Sequence, residues 1–170
     1  MSTTATSHSH RDAYAGHPAV VPVGGIDPRG PRFAATVTTL VLAAALLLAA
    51  SVPSATIALV AVQLVAFALG ATLGVRRTPY SWLFRHLVRP RLGAPTELED
   101  ARPPRFAQAV GLAFAVLALA GFATGVTLLG EVAVGLALAA AFLNAAFGYC
   151  LGCEMYLRGV RLRAVLQNDR

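Results

Sequence analysis

The chain contains two cysteines, Cys150 and Cys153, within Gly148-Tyr-Cys-Leu-Gly-Cys-Glu154. A pair this close in sequence excludes a disulfide framework joining distant segments and has to be judged as a local site. On a reducing face, a Cys-x-x-Cys is more often catalytic, redox-sensing or metal-binding than a permanent bridge. On a regular helix, Cβ atoms three residues apart lie about 5 to 6 Å from each other, whereas a disulfide needs about 3.5 to 4.5 Å. Closing the bond would therefore require local distortion, which Gly148 and Gly152 make accessible. Read as the inner end of a long helix, the pair sits near a C-terminus and beside Glu154, both of which oppose thiolate formation. Arg158, or Arg and His86 of the inner loop, would have to compensate. A closed zinc site needs four ligands, and here two thiols would have to recruit mobile His or Glu154. Three readings stay open: thiol redox or sulfur handling, metal binding, and small buried side chains without chemistry.

The elements that must position this pair are apolar helices. Hydrophobic residues make up 56% of the 170, and mean hydropathy is +0.64, which is not a soluble composition. Uncharged or nearly uncharged runs over about 33–51, 54–75, 106–129 and 132–153 are each about 20 residues, enough to cross a hydrocarbon layer of about 30 Å. The connection at Val52-Pro53 is short enough to force an antiparallel hairpin, and a second hairpin turns at Gly130-Glu131. All 14 basic residues are Arg, and they precede the first run, lie between the second and third, or follow the fourth. Arg is retained on the cytoplasmic side of short flanks, so both termini are expected in the cytoplasm and the Cys pair at the inner boundary of an inner (plasma) membrane. A net charge of +6 is then a topology signal, with no need for nucleic acid as partner. The alternative that the first run is a cleaved signal sequence is disfavoured by the polar leader of about 32 residues before it.

An internal repeat supports this layout. Asp27-Pro-Arg-Gly-Pro-Arg-Phe-Ala-Ala35 and Asp100-Ala-Arg-Pro-Pro-Arg-Phe-Ala-Gln108 share residues at matching places, each at the start of a run. Both copies enter from the same side, so the repeat is parallel. Pro31 and Pro104 suit the first turn of a helix, Arg32 and Arg105 can snorkel to headgroups, and Asp27 and Asp100 can cap a helix or neutralise Arg. An interfacial anchor is the leading reading of these four charged residues, with a paired Arg site at the inner mouth as the other. Gly70-x-x-x-Gly74 and Gly148-x-x-x-Gly152 suggest close helix contacts, and the amides of Gln63 and Asn144 near mid-span suggest a cross-helix hydrogen bond.

Between the hairpins, Tyr80, Leu83, Phe84, Leu87 and Val88 fall on one face of a helix over about 79–90, with Arg85 and Arg89 on another and Trp82 beside them, which reads as an interfacial helix. Residues 1–25 read as a disordered polar tail whose His8, His10 and His17 could hold a metal transiently. Residues 26–160 form the four-helix membrane domain, and 161–170 a basic C-terminal tail. The fold class is thus all-α, four transmembrane helices as two repeated hairpins plus a short interfacial helix.

The segments Asp27 to Phe33, Pro104 to Gln108 and Asn144-Ala-Ala-Phe-Gly-Tyr-Cys-Leu-Gly-Cys153 resemble the bacterial membrane family called domain of unknown function 4395, over roughly 24–160. The family has no established activity and no site assignment to carry over. Its association with thioredoxin-like and sulfurtransferase proteins implies sulfur or redox work. The Lys-free, Ala- and Arg-rich usage resembles that of high-GC actinobacteria. The leading expectation is exchange of thiol, disulfide or persulfide equivalents at the cytoplasmic face through Cys150 and Cys153, without a cofactor, with the bilayer and a thioredoxin-like or sulfurtransferase protein as partners and a homo-oligomer left open. The rivals are a non-enzymatic scaffold or assembly factor and a small transporter, the latter weakened by the lack of acids and bases within the spans.

Overall fold

A computed structural model of the chain describes residues 25–95 and 97–168. The N-terminal stretch with His8, His10 and His17 lies outside the described residues, as do the last two residues. The described chain is helical: α1 (Arg29–Leu48), α2 (Pro53–Leu73), the short α3 (Pro79–Leu83), α4 (Arg102–Ala123), α5 (Thr127–Phe147) and α6 (Leu151–Asn168). One turn of 3-10 helix joins α2 to α3, and α3 runs on into a π turn at Phe84–Val88. The segment expected as one helix over 79–90 is therefore three short pieces.

α1, α2, α4 and α5 are each long and apolar enough to cross a membrane, with mean hydropathies of 1.7 to 2.2. Their side chains are sorted accordingly. The core is built from Leu42, Ala45, Val60, Ala118, Ala133 and Val134, mostly small, while Leu40, Leu47 and Leu128 are 66%, 82% and 69% exposed. Packing small residues inward and large aliphatic ones outward suits a lipid solvent, where helix association depends on close backbone approach. Around the bundle α1 packs on α2, α2 on α4, α4 on α5 and α5 on α1.

Among the described residues, the buried side-chain polar groups are all partnered. Gln63 is fully buried; its Nε2 donates to Thr38 Oγ1 at 3.2 Å and its Oε1 accepts from Tyr80 Oη at 2.8 Å. The cross-helix bond to Asn144 expected from sequence is thus replaced by one to α1 and one to α3, since Tyr80 reaches down to the amide. Phe84 is buried against Gly30 and lies 5.8 Å from the Phe33 ring, so α3 and its π turn are held on α1.

Two turns differ from expectation. The α4–α5 connection lies at Thr124-Gly125-Val126, where Gly125 has φ 79°, and Gly130-Glu131 falls inside α5. Gly130 is a packing residue: a Cβ on Gly121 would stand 2.5 Å from the Gly130 nitrogen, and one on Gly130 2.7 Å from the Phe122 ring. The second difference, at the end of α5, makes the candidate site.

Candidate functional site

The sequence pattern predicts a fourth span that carries the Cys pair on its inner end, up to residue 153. It stops at Phe147. Gly148 adopts φ 69°, ψ 12°, its N–H donating to the Asn144 carbonyl at 3.0 Å, and Tyr149 N–H reaches the Leu143 carbonyl at 3.4 Å. These two bonds close a helix with a left-handed glycine, a geometry that costs other residues a Cβ clash. Gly148 and Gly152 therefore do not form one groove on one helix, and residues 161–168 continue α6.

Cys150 is the residue before α6, and its carbonyl accepts the first helical bond from Glu154 N–H at 3.0 Å, so it occupies the N-cap. Cys153 sits one turn inside. The expectation of a thiol pair at a helix C-terminus is reversed: the sulfur of Cys150 faces the free amides and positive end of α6. The Cys153 thiol, donating to that sulfur, lowers the Cys150 pKa to about 7, and the N–H groups of Cys153 and Gly152 add to the effect against burial and the charge of Glu99. The same hydrogen bond pushes Cys153 up, with burial acting in the same direction. Both thiols are free and half-buried. Since Cys150 is not helical, the spacing constraint of a regular helix does not apply to the pair.

α6 is fixed by contact with the start of α4. A Cβ on Gly152 would lie 2.6 Å from Ala107 Cα, and the rings of Phe106 and Tyr156 are 5.8 Å apart. Glu154 forms an ion pair with Arg158 at 3.8 Å, while His86 bonds the Trp82 carbonyl at 2.8 Å and stacks on its ring, so neither Arg158 nor His86 supplies the compensation expected of them. The carboxylate that acts on the thiols is Glu99, which sequence reasoning missed because it lies 51 residues before Cys150. Its backbone exchanges both hydrogen bonds with Ile26, at 2.8 and 2.9 Å. Among the described residues, no group of three or more His, Cys, Asp or Glu gathers as a metal-ligand set.

Arg32 closes the end of α5 from α1: Nε donates to the Ala145 carbonyl at 3.1 Å and the guanidinium NH2 to Ala146 at 3.0 Å. Arg105 does the same for α2 from α4, with Nε to Ala71 at 2.7 Å and the NH2 to Thr72 at 2.8 Å. The other charged members of the two matching motifs also act alike. Asp27 accepts from Arg29 N–H at 3.0 Å and Asp100 from Arg102 N–H at 2.9 Å, each at the first residue of its helix. The Arg29 side chain, 2.8 Å away, holds the Asp27 carboxyl below its usual range. Gly70 packs against Gln108, while Gly74 ends α2 at φ 93°. Asn144 contributes its carbonyl to the Gly148 cap.

A separate cavity of about 410 Å³ lies beside the start of α1, lined among others by Asp27, Phe84, Arg85, Arg89 and Gln108. It does not include the thiols. A shallower groove of about 470 Å³ lies between the end of α2 and the start of α4.

No curated protein and no solved structure matches the chain. The sequence profile described as domain of unknown function DUF4395 matches residues 26–161, the span from the Ile26 pairing through both helix ends and the thiols, and the chain belongs to that family.

Proposed function

We propose that this protein exchanges thiol, disulfide or persulfide equivalents at the cytoplasmic face of a membrane, with Cys150 as attacking thiolate and Cys153 as resolving thiol. The observation that carries this reading is the N-cap position of Cys150, where amides of α6 and the Cys153 thiol stabilise the anion. With a disulfide partner, Cys150 sulfur bonds to one partner sulfur and expels the other as thiolate. Cys153 then loses its proton and attacks Cys150 sulfur, forming the Cys150–Cys153 disulfide and releasing the second partner thiolate. Two electrons pass from the dithiol to the partner, and a thioredoxin-like dithiol returns them.

Cytoplasmic placement is supported by charge. The described Arg residues stand at or beyond the ends of the spans that carry Gly74 and Gly148, and the opposite turns hold none. A duplicated architecture is supported by the reciprocal caps of Arg32 and Arg105, the matching bonds of Asp27 and Asp100, and the mutual pairing of Ile26 with Glu99, the residues just before those aspartates. An interfacial placement of α3 and its π turn is supported by Trp82 and Leu87, 56% and 51% exposed beside Arg85.

Alkylation in membranes tests the reading. Cys150 should react with a maleimide at a rate rising through about pH 7, and Cys153→Ser should trap a mixed disulfide with a partner that Cys150→Ser does not. If neither cysteine changes redox state on oxidant challenge, and the Cys150→Ser/Cys153→Ser chain supports the same growth as the native one, thiol exchange is excluded and the scaffold reading stands.

A further inference from the structure

We propose that the groove between the end of α2 and the start of α4 binds the phosphate of an anionic phospholipid. Its walls carry Arg76, Arg77, Arg102 and Arg105 together with Thr72 and Gly74. Against four guanidinium groups stands Asp100, whose closer bond goes to Arg102 N–H at 2.9 Å and whose approach to Arg102 Nε is 3.6 Å. Arg105 is oriented by the Ala71 and Thr72 carbonyls and Arg76 by the Gly25 carbonyl, contacts that fix these side chains without neutralising them. Among the described residues, Arg77 forms no ion pair. Each guanidinium keeps N–H donors beyond those bonded to carbonyls, and a phosphate that accepts from them relieves the repulsion between the four charges.

A lipid fits better than a soluble anion because of what lies next to the groove. Val62, Val65 and Leu73 fall on one outward face of α2, 59%, 53% and 53% exposed, and Leu73 is also in the groove wall. The apolar stripe thus runs directly into the charged space. An amphiphile with its phosphate among the arginines and an acyl chain along α2 satisfies both surfaces, whereas free phosphate would use one. The site lies at the end of a helix able to cross a membrane, the level at which headgroups sit. It shares no residue with the thiol pair, and the two readings stand or fall separately.

The test is native mass spectrometry of the purified full chain with phosphatidylglycerol and phosphatidylcholine. One phosphatidylglycerol should be retained in preference to phosphatidylcholine, and R77Q/R102Q should lower its retention roughly tenfold. R161Q/R163Q removes the same charge from exposed positions of α6 and should leave retention unchanged. If the double groove variant does not fold, R77Q and R102Q singly, each expected to lose about threefold, carry the same comparison. Equal loss in the α6 variant, or displacement of the lipid by glycerol 3-phosphate at equal concentration, overturns the proposal.

Discussion

At the end of α2, Gly74 turns the chain with φ 93° into Val75-Arg76-Arg77; at the end of α5, Gly148 turns it with φ 69° into Tyr149-Cys150. In both places an Arg from a neighbouring helix covers two of the last carbonyls. The chain after the glycine then makes the difference. After Gly74 comes a single 3-10 turn, too short to offer a row of free amides, and the exposed groups are guanidinium side chains. After Gly148 comes α6 of 18 residues, whose first turn presents amides to a sulfur. One helix end gathers guanidinium groups, and the other sets a cysteine at a helix N-terminus.

The comparison can be broken from either side. The largest effect is expected from Gly152→Val, because its Cβ has no room beside the Ala107 backbone; it should cost on the order of 3 kcal/mol and free α6 from α4, read as thermal unfolding in detergent and as new protease cleavage after Cys150. Gly74→Ala comes next, at about 2 to 3 kcal/mol in the same melt, since φ 93° with ψ 155° is a region open essentially to glycine. Gly148→Ala sits in the milder left-handed region and should cost about 1 kcal/mol. Were the two alanine variants equal, the turns would not differ as described.

Smaller changes sharpen the chemistry. Cys153→Ala removes the thiol that donates to Cys150, so the Cys150 titration should move up from about 7 and its alkylation at neutral pH should slow roughly tenfold. The sign follows from the charge: losing a donor to the thiolate favours the protonated form, and the rate loss vanishes well above the new pKa. The least effect is expected from the paired caps. Arg32→Ala should alter Cys150 alkylation about twofold through the loosened Gly148 turn, while Arg105→Ala leaves it unchanged.

Much of the bundle was legible, because four apolar runs of span length can hardly be anything else, and Val52-Pro53 marks its turn plainly. The glycines were not. Next to Glu131, Gly130 has the sequence pattern of a turn, yet it packs against Phe122; Gly74 and Gly148 have the spacing of packing residues, yet they end helices. The absent side chain serves close approach and positive φ alike, so composition cannot separate the two uses. Glu131 misleads in the same way, since an acid is expected outside a span and this one occupies the second turn of α5. The site depends on the same distinction: a Gly148 inside a helix would put Cys150 at a C-terminus, and a Gly148 that ends one puts it at the start of the next. The bond from Tyr80 to Gln63 depends on how α3 folds back, which no local pattern encodes.

The reciprocal caps also set an order of events during synthesis. Arg105 follows Ala71 by 34 residues, so at about 5 to 20 residues per second the end of α2 waits a few seconds for its cap. Arg32 is made 113 residues before Ala145 and waits through the rest of the bundle. When α5 finally emerges, its cap is already in place, and α4 is ready to receive α6. The end that carries Cys150 and Cys153 is thus made after the four spans, so α6 begins only on a chain whose bundle is already present.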